Sequence, residues 1–235
     1  MSEPGLQGGG VISRRLDANE MLDDLSLPEE IVAKAYAQLH STHRWLGNTA
    51  AILDLLSRDP FPVRRVLDIG CGRGGLLQEI RRRLGVEAVG VDLRPAPASS
   101  PVPIITADAV TDPLPRADVA LAVCLAHHLS AEDLAAFIRN VSRSCRRLIL
   151  LDVVRHRLPL VLFRTFVAPF LSRLNVEDGV TSIRRAYTPR ELASIVAGAL
   201  AESDGTARHT VAPFYIRQVV DIRWARDGRG GQTID

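Results

Sequence analysis

The run Arg65-Val66-Leu67-Asp68-Ile69-Gly70-Cys71-Gly72-Arg73-Gly74-Gly75 constrains this chain most. An apolar, strand-like segment ends in an acid, passes into glycines and opens a helix. Glycine lacks the Cβ that blocks close approach of backbone to a ligand, and it tolerates dihedrals closed to other residues. A second apolar run, Ala88-Val89-Gly90-Val91, is closed by Asp92. An acid at a neighbouring strand end is placed to accept both hydroxyls of a ribose. The pattern therefore predicts a nucleoside site.

Two nucleoside classes share this spacing. Gly70, Gly72 and Gly75 satisfy the dinucleotide pattern, whereas Gly70, Gly72 and Gly74 make a tighter turn with no pyrophosphate requirement. Asp68 separates the two: a carboxylate at the mouth of the turn repels phosphate and attracts an ammonium group. S-adenosylmethionine offers ribose, adenine and an amino-acid ammonium without phosphate, and is the expected cofactor. A third strand end, Asp108-Ala109, is placed to accept from the adenine amine and to leave room for the ring. The predicted cofactor set is Asp68, Gly70, Cys71, Gly72, Asp92, Leu93, Asp108, Ala109 and Leu125. A nicotinamide oxidoreductase and a noncatalytic S-adenosylmethionine-binding protein stand as alternatives.

A chain of 235 residues buries one sizeable core with a modest appendage. Its 29 basic and 27 acidic residues leave a net charge of +2, which implies no extended phosphate-binding field and no nucleic-acid partner. The three cysteines, Cys71, Cys124 and Cys145, form neither a close pair nor a metal-ligand spacing. They read as reduced thiols of a cytoplasmic protein. With six histidines and no acid-histidine arrangement of ligand spacing, no metal site is expected.

Residues 1–12 read as a flexible leader, 13–61 as an N-terminal helical cap, 62–225 as the catalytic domain and 226–235 as a flexible tail. In the cap, Pro28-Glu29-Glu30 opens one helix, and a second runs from Thr49 through Leu56. From Pro62 onward strand and helix alternate. Strands are predicted at 65–69, 88–92, 103–107, 118–123, 148–153, 208–213 and 215–224, with helices at 75–84, 131–144 and 189–200. The fold class is α/β: a Rossmann-like, mostly parallel seven-stranded sheet with an N-terminal helical cap and an apolar insertion after strand five. Arg94 to Pro101 holds three prolines, so a loop is expected in place of a crossover helix.

The fourth strand leads into Leu125-Ala126-His127-His128-Leu129-Ser130. A neutral imidazole there, His127 before His128, can take a proton from a phenol or enol. Ser130 is expected to cap the following helix. The insertion at 154–187 carries Phe163, Phe166 and Phe170 as candidate lining for an acceptor, with Trp45 contributed by the cap. Structural packing, an oligomer contact and peripheral membrane docking are further readings of the same apolar stretch, which is short for a membrane span. Asp178-Gly179 reads as a turn. Thr188, Pro189 and Glu191 explain a helix start, and Arg185 and Tyr187 just outside it are candidates for binding a phenolic or anionic acceptor. The expected partner is a small molecule, and the expected state is monomer or homodimer.

On Val66 to Gly74, Asp92, Asp108-Ala109 and Leu125 to Leu129, the chain resembles the class I S-adenosylmethionine-dependent methyltransferases, at fold level over Arg65 to Trp224. That resemblance implies that Gly70 and Gly72 approach the amino-acid end of the cofactor, Asp92 its ribose and Asp108 its adenine. Arg44-Trp45-Leu46-Gly47, the paired histidines and the Asp178 to Pro189 segment look like small bacterial methyltransferases of polyketide and quinone-like metabolism. This favours a phenolic oxygen or another small-molecule nucleophile, and leaves O-, C- and N-methylation open. The proline-rich stretch after Asp92 departs from the family's usual pattern.

Overall fold

A computed structural model describes residues 10–98 and 100–225. Most of the expected leader and the expected tail lie outside the described residues. Helices α1 (Glu29–Trp45) and α2 (Asn48–Ser57) precede β1 (Arg65–Ile69), α3 (Gly75–Leu84), β2 (Glu87–Asp92), β3 (Ile104–Thr106), β4 (Ala117–Val123), α4 (Ala131–Ser144) and β5 (Cys145–Asp152). Then follow α5 (Arg157–Leu162), α6 (Arg173–Arg185), α7 (Pro189–Leu200), β6 (Thr206–Val211) and β7 (Gln218–Arg223). The seven strands form one sheet in the order β3-β2-β1-β4-β5-β7-β6. All pairs are parallel except those made by β7, which runs antiparallel to β5 and β6. The order reverses between β1 and β4, which opens a crevice at their C-terminal ends.

Strand alternation builds two cores. Leu67, Ile69, Ala120, Ala122, Leu148 and Leu150 pack on one face against Leu134, Phe137 and Ile138 of α4 and Leu192 and Val196 of α7. Val66, Val119, Leu121, Ile149 and Leu151 pack on the other against Ile52 and Leu56 of α2 and Leu77 and Ile80 of α3. A strand segment covered on both faces is apolar at successive positions, which explains the unbroken hydrophobic runs 119–123 of β4 and 148–151 of β5.

Local chemistry sets the helix starts. Ser130 Oγ accepts from Asp133 N at 3.0 Å, and Thr188 with Glu191 closes a capping box ahead of Pro189. Between β2 and β3 the described residues form no helix, as the prolines dictate. Three expectations need correction. The last strand starts at Gln218, because Pro213–Tyr215 winds into a single 3-10 turn. Strand β5 starts earlier, at Cys145. Asp178-Gly179 makes no turn: both lie inside α6, where Asp178 faces a partner that its sequence neighbours cannot reveal.

Candidate active site

The glycine-rich turn leaves β1 with Gly70 at φ +71° and Gly72 at φ +55°, left-handed conformations that a side chain makes costly. Gly70 N donates to Val91 O at 2.8 Å, tying the turn to the end of β2. A Cβ on Gly70 would press on Leu125, and one on Gly72 would run into the ring of Tyr36. The turn is thus sandwiched closely by α1 and by the loop after β4.

Around it lies a cavity of about 830 Å³ whose lining includes Asp68, Gly70, Cys71, Asp92, Leu93, Asp108, Ala109 and Leu125. Of the predicted cofactor set only Gly72 is not in the wall; it acts instead through its backbone. Asp92 Oδ2 accepts from Gly72 N at 2.7 Å and its Oδ1 from Arg94 N at 2.9 Å. The carboxylate is thereby oriented at the tip of β2 with lone pairs to spare. Asp108 Oδ1 accepts from Val110 N at 2.9 Å, turning the chain at the end of β3. Asp68 is 3% exposed and accepts no hydrogen bond from any described residue. Burial, and then the charge of Asp92, push its carboxyl up to about 8. A buried, donorless acid in the wall of a cavity is complementary to a cation, and so fits the ammonium of S-adenosylmethionine. It does not fit a pyrophosphate, which removes the physical basis for the nicotinamide reading.

A polar cluster sits beside this surface. His127 is 2% exposed. Its Nδ1 lies 2.7 Å from Asp152 Oδ1, and its backbone N donates to Asp152 Oδ2 at 2.9 Å. Glu20 Oε1 is 3.2 Å from Nε2 as an ion pair, too oblique for a hydrogen bond. Burial alone would lower the pKa of His127, but Asp152, and then Glu20, raise it well above the usual imidazole range. The two carboxylates therefore favour the protonated ring. The ring expected to be a free neutral base is held between two carboxylates. His128 Nδ1 pairs with Asp23 Oδ1 at 3.0 Å.

The N-terminal segment that delivers Glu20 and Asp23 is pinned at several points. Asp178 accepts from Met21 N at 2.7 Å and Leu22 N at 3.1 Å, Ser182 Oγ donates to Glu20 Oε1 at 2.6 Å, and Arg94 Nη2 donates to Leu22 O at 3.1 Å and Asp24 O at 2.8 Å. Arg94, in the loop after β2, and α6 thus hold this strap across the cavity from both sides.

The predicted acceptor residues divide. Phe163 and Arg185 line the cavity, and Arg185 Nη1 pairs with Asp23 Oδ2 at 3.0 Å. Trp45 and Phe166, at 64% and 59% exposed, are not in its wall, and Phe170 is likewise exposed. Trp45 ends α1 on the outside. The stretch 157–170 breaks into α5, a π-helical turn at Phe163–Val167 and a 3-10 turn, so its phenylalanines do not share one face. Tyr187 is buried and donates to Leu129 O at 2.7 Å beneath the Arg15 guanidinium, 4.3 Å from its ring centre. It braces the loop after β4 and does not reach the cavity.

Sequence reasoning missed Glu20, Asp23, Asp152 and His43. His43 lines the cavity, and burial lowers its pKa to about 4, leaving it neutral. Asn48 Oδ1 accepts from Arg217 Nη1 at 3.0 Å, which turns its amide nitrogen toward His43 Nδ1 at 2.9 Å. His43 Nε2 consequently carries the ring hydrogen. No motif marks these residues. The one available signal was Asp152, an acid that closes the apolar run 148–151 as Asp92 closes the run 88–91.

A methyltransferase domain family model matches residues 38–196, more than half of the chain, and the chain belongs to that family. A segment of 39 residues is 59% identical to the ubiquinone biosynthesis O-methyltransferase of Roseobacter denitrificans (strain ATCC 33942 / OCh 114), covering 17% of this chain and 15% of that protein. The match thus spans about 15% of the length of the curated relatives. Among solved structures, the plantazolicin methyltransferase BpumL in complex with SAH superposes with a TM-score of 0.64 at 12% identity, over 87% of this chain and 94% of that one. The magnesium protoporphyrin IX methyltransferase ChlM of Synechocystis PCC 6803 superposes with a TM-score of 0.52 at 17% identity, over 80% and 84% of the two chains. These likenesses establish the fold, the class I methyltransferase sheet. Among the described residues no helix is long and apolar enough to cross a membrane.

Proposed function

We propose that this protein is an enzyme that transfers a methyl group from S-adenosylmethionine to a small-molecule acceptor, at a phenolic or enolic oxygen. The observation that carries the reading is the pair of acids, buried Asp68 and half-buried Asp92, near the ends of adjacent strands over a left-handed glycine turn. Asp68 takes the ammonium, the backbone at Gly70 and Gly72 lies along the amino-acid end, Asp92 takes the ribose hydroxyls, and Asp108 with Ala109 takes the adenine. The cofactor supplies an already activated methyl on its sulfonium. The protein's task is then to align the acceptor oxygen with that carbon and to exclude water.

The cap at 13–61 and the insertion at 154–187 provide that enclosure around the catalytic domain at 62–225. The cavity runs on from Leu125 to Phe163, His43 and Arg185, room for an acceptor beside the cofactor. His43 Nε2–H offers a donor to an acceptor carbonyl or ether oxygen. The names of the curated relatives support an oxygen acceptor, as does a solved neighbour, the O-methyltransferase family 2 protein of Planctomyces limnophilus DSM 3776 in complex with apigenin, with a TM-score of 0.54 at 14% identity over 85% of this chain and 63% of that one.

The test is calorimetry with S-adenosylhomocysteine and reduced nicotinamide nucleotides, followed by a labelled-methyl transfer screen over native metabolite extract with mass analysis of products. Binding of S-adenosylhomocysteine and label on a phenolic oxygen are expected. Binding without label in any product would make it a noncatalytic cofactor-binding protein, and label on carbon or nitrogen would overturn the oxygen acceptor.

A further inference from the structure

Beside the cofactor surface, one ring nitrogen each of His127 and His128 and a carboxylate oxygen of Glu20 converge, all within 4.8 Å of one another. The folded strap brings Glu20 to the two histidines from more than a hundred residues away, an arrangement no local spacing in the sequence announces. Glu20 Oε1 is 3.2 Å from His127 Nε2, and Glu20 Oε2 is 3.8 Å from His128 Nε2. These separations bracket the edge of about 3.4 Å expected of a tetrahedron whose metal–ligand bonds are about 2.0–2.1 Å.

His127 Nε2 is also the buried side-chain polar atom left without a hydrogen-bond partner among the described residues. Such an atom is costly unless something meets it. Both imidazoles are turned by their other nitrogen: His127 Nδ1 by Asp152 at 2.7 Å and His128 Nδ1 by Asp23 at 3.0 Å. A carboxylate behind each ring fixes the tautomer that presents Nε2, as around metal-bound histidines. The carboxylates of Glu20, Asp23 and Asp152 surround the point of convergence, with Arg185 paired to Asp23 as the fixed cation.

We propose that Glu20, His127 and His128 form a binding site for a divalent transition-metal ion of the zinc type, closed on the protein side and open to the cavity. The ion replaces the proton on His127. All three residues line the cavity, so a further coordination position faces the space assigned above to the acceptor. That consequence rests on the methyl-transfer reading: an acceptor hydroxyl bound there gives its proton to solvent, its oxygen takes the methyl, and the carbon–sulfur electron pair returns to sulfur as S-adenosylhomocysteine leaves.

The test uses the full-length protein, stripped with a chelator and titrated with Zn²⁺ by competition against a chromogenic chelator, and with Co²⁺ by visible absorption. One equivalent of either metal is expected, with tetrahedral Co²⁺ bands that lack thiolate charge transfer. Glu20→Gln and His128→Gln, checked for folding by circular dichroism, should weaken binding more than tenfold. Asp23→Asn, which leaves all three ligands in place, should weaken it about tenfold. Failure of the wild type to bind a stoichiometric ion overturns the proposal, as does binding unchanged in the two ligand variants or a thiolate spectrum. None of these readouts requires methyl transfer, so their failure leaves the proposed reaction standing.

Discussion

Asp152 holds His127 twice, accepting from the backbone N–H at 2.9 Å through Oδ2 and meeting the ring Nδ1 at 2.7 Å through Oδ1. One carboxylate thereby sets both the path of the loop after β4 and the orientation of the ring that the loop carries. Asp152→Asn removes the charge from a pair that is 2% exposed on both sides. It should destabilise the chelator-treated protein by about 3 kcal/mol, because the buried ring loses the nearer of its two carboxylates and keeps only Glu20. Urea unfolding with an unchanged m-value would show this.

Asp68 makes stability and cofactor affinity respond oppositely to pH. Its pKa is raised in the fold, from 3.8 to about 8, so between these values the folded chain holds a proton that the unfolded chain has lost. The stability it contributes is present at low pH and declines as pH rises through that window. An ammonium beside it favours the carboxylate, so S-adenosylhomocysteine should bind more tightly from pH 6 to 8 and release a proton on binding. Calorimetry in buffers of different ionisation enthalpy reads that proton. Asp68→Asn should abolish the release, weaken binding about tenfold or more, and remove the downward slope of stability with pH.

Asp92→Ala loses the acceptor for Gly72 N and Arg94 N together with the proposed ribose contact. Cofactor affinity should fall by about 2–3 kcal/mol, roughly thirty- to a hundredfold. Calorimetry at fixed pH checks it, and affinity within a factor of two of wild type removes the assignment.

Gly72→Ala faces two separate costs, a φ of +55° and the ring of Tyr36. The first is about 1–2 kcal/mol and stays whatever the neighbour. The second should vanish in a Tyr36→Ala background. A double-mutant cycle on thermal stability should therefore show the glycine substitution less costly when Tyr36 is already truncated.

Tyr187→Phe should cost about 1 kcal/mol through the lost bond to Leu129 O, without changing KM or kcat for any acceptor found. A raised acceptor KM with unchanged stability would return Tyr187 to the binding surface.

Much of the cofactor side was legible in the chain, since it rests on local rules. The strand, acid and glycines of 65–75 and the acid ending 88–92 sit in short segments whose conformation neighbouring residues determine, and parallel pairing then brings Asp68 and Asp92 to the same edge. The capping serines and threonines and the proline-rich loop after β2 were legible for the same reason. The acceptor side was not. Trp45, Phe166 and Tyr187 carry the right chemistry, but a side chain's facing depends on helix phase and on what packs over it. The π-helical turn at Phe163–Val167 resets that phase midway through the insertion.

The sequence by itself determined the sheet, its two apolar faces and the acid-tipped glycine turn, because hydrophobic period and backbone sterics act over a few residues. Only the tertiary structure decided what becomes of the histidines. Glu20 reaches His127 from far upstream and Asp152 from the end of the next strand, and together they favour the protonated ring in a residue that reads as a proton acceptor. Charges interact through space and not along sequence, so burial and long-range packing set that state.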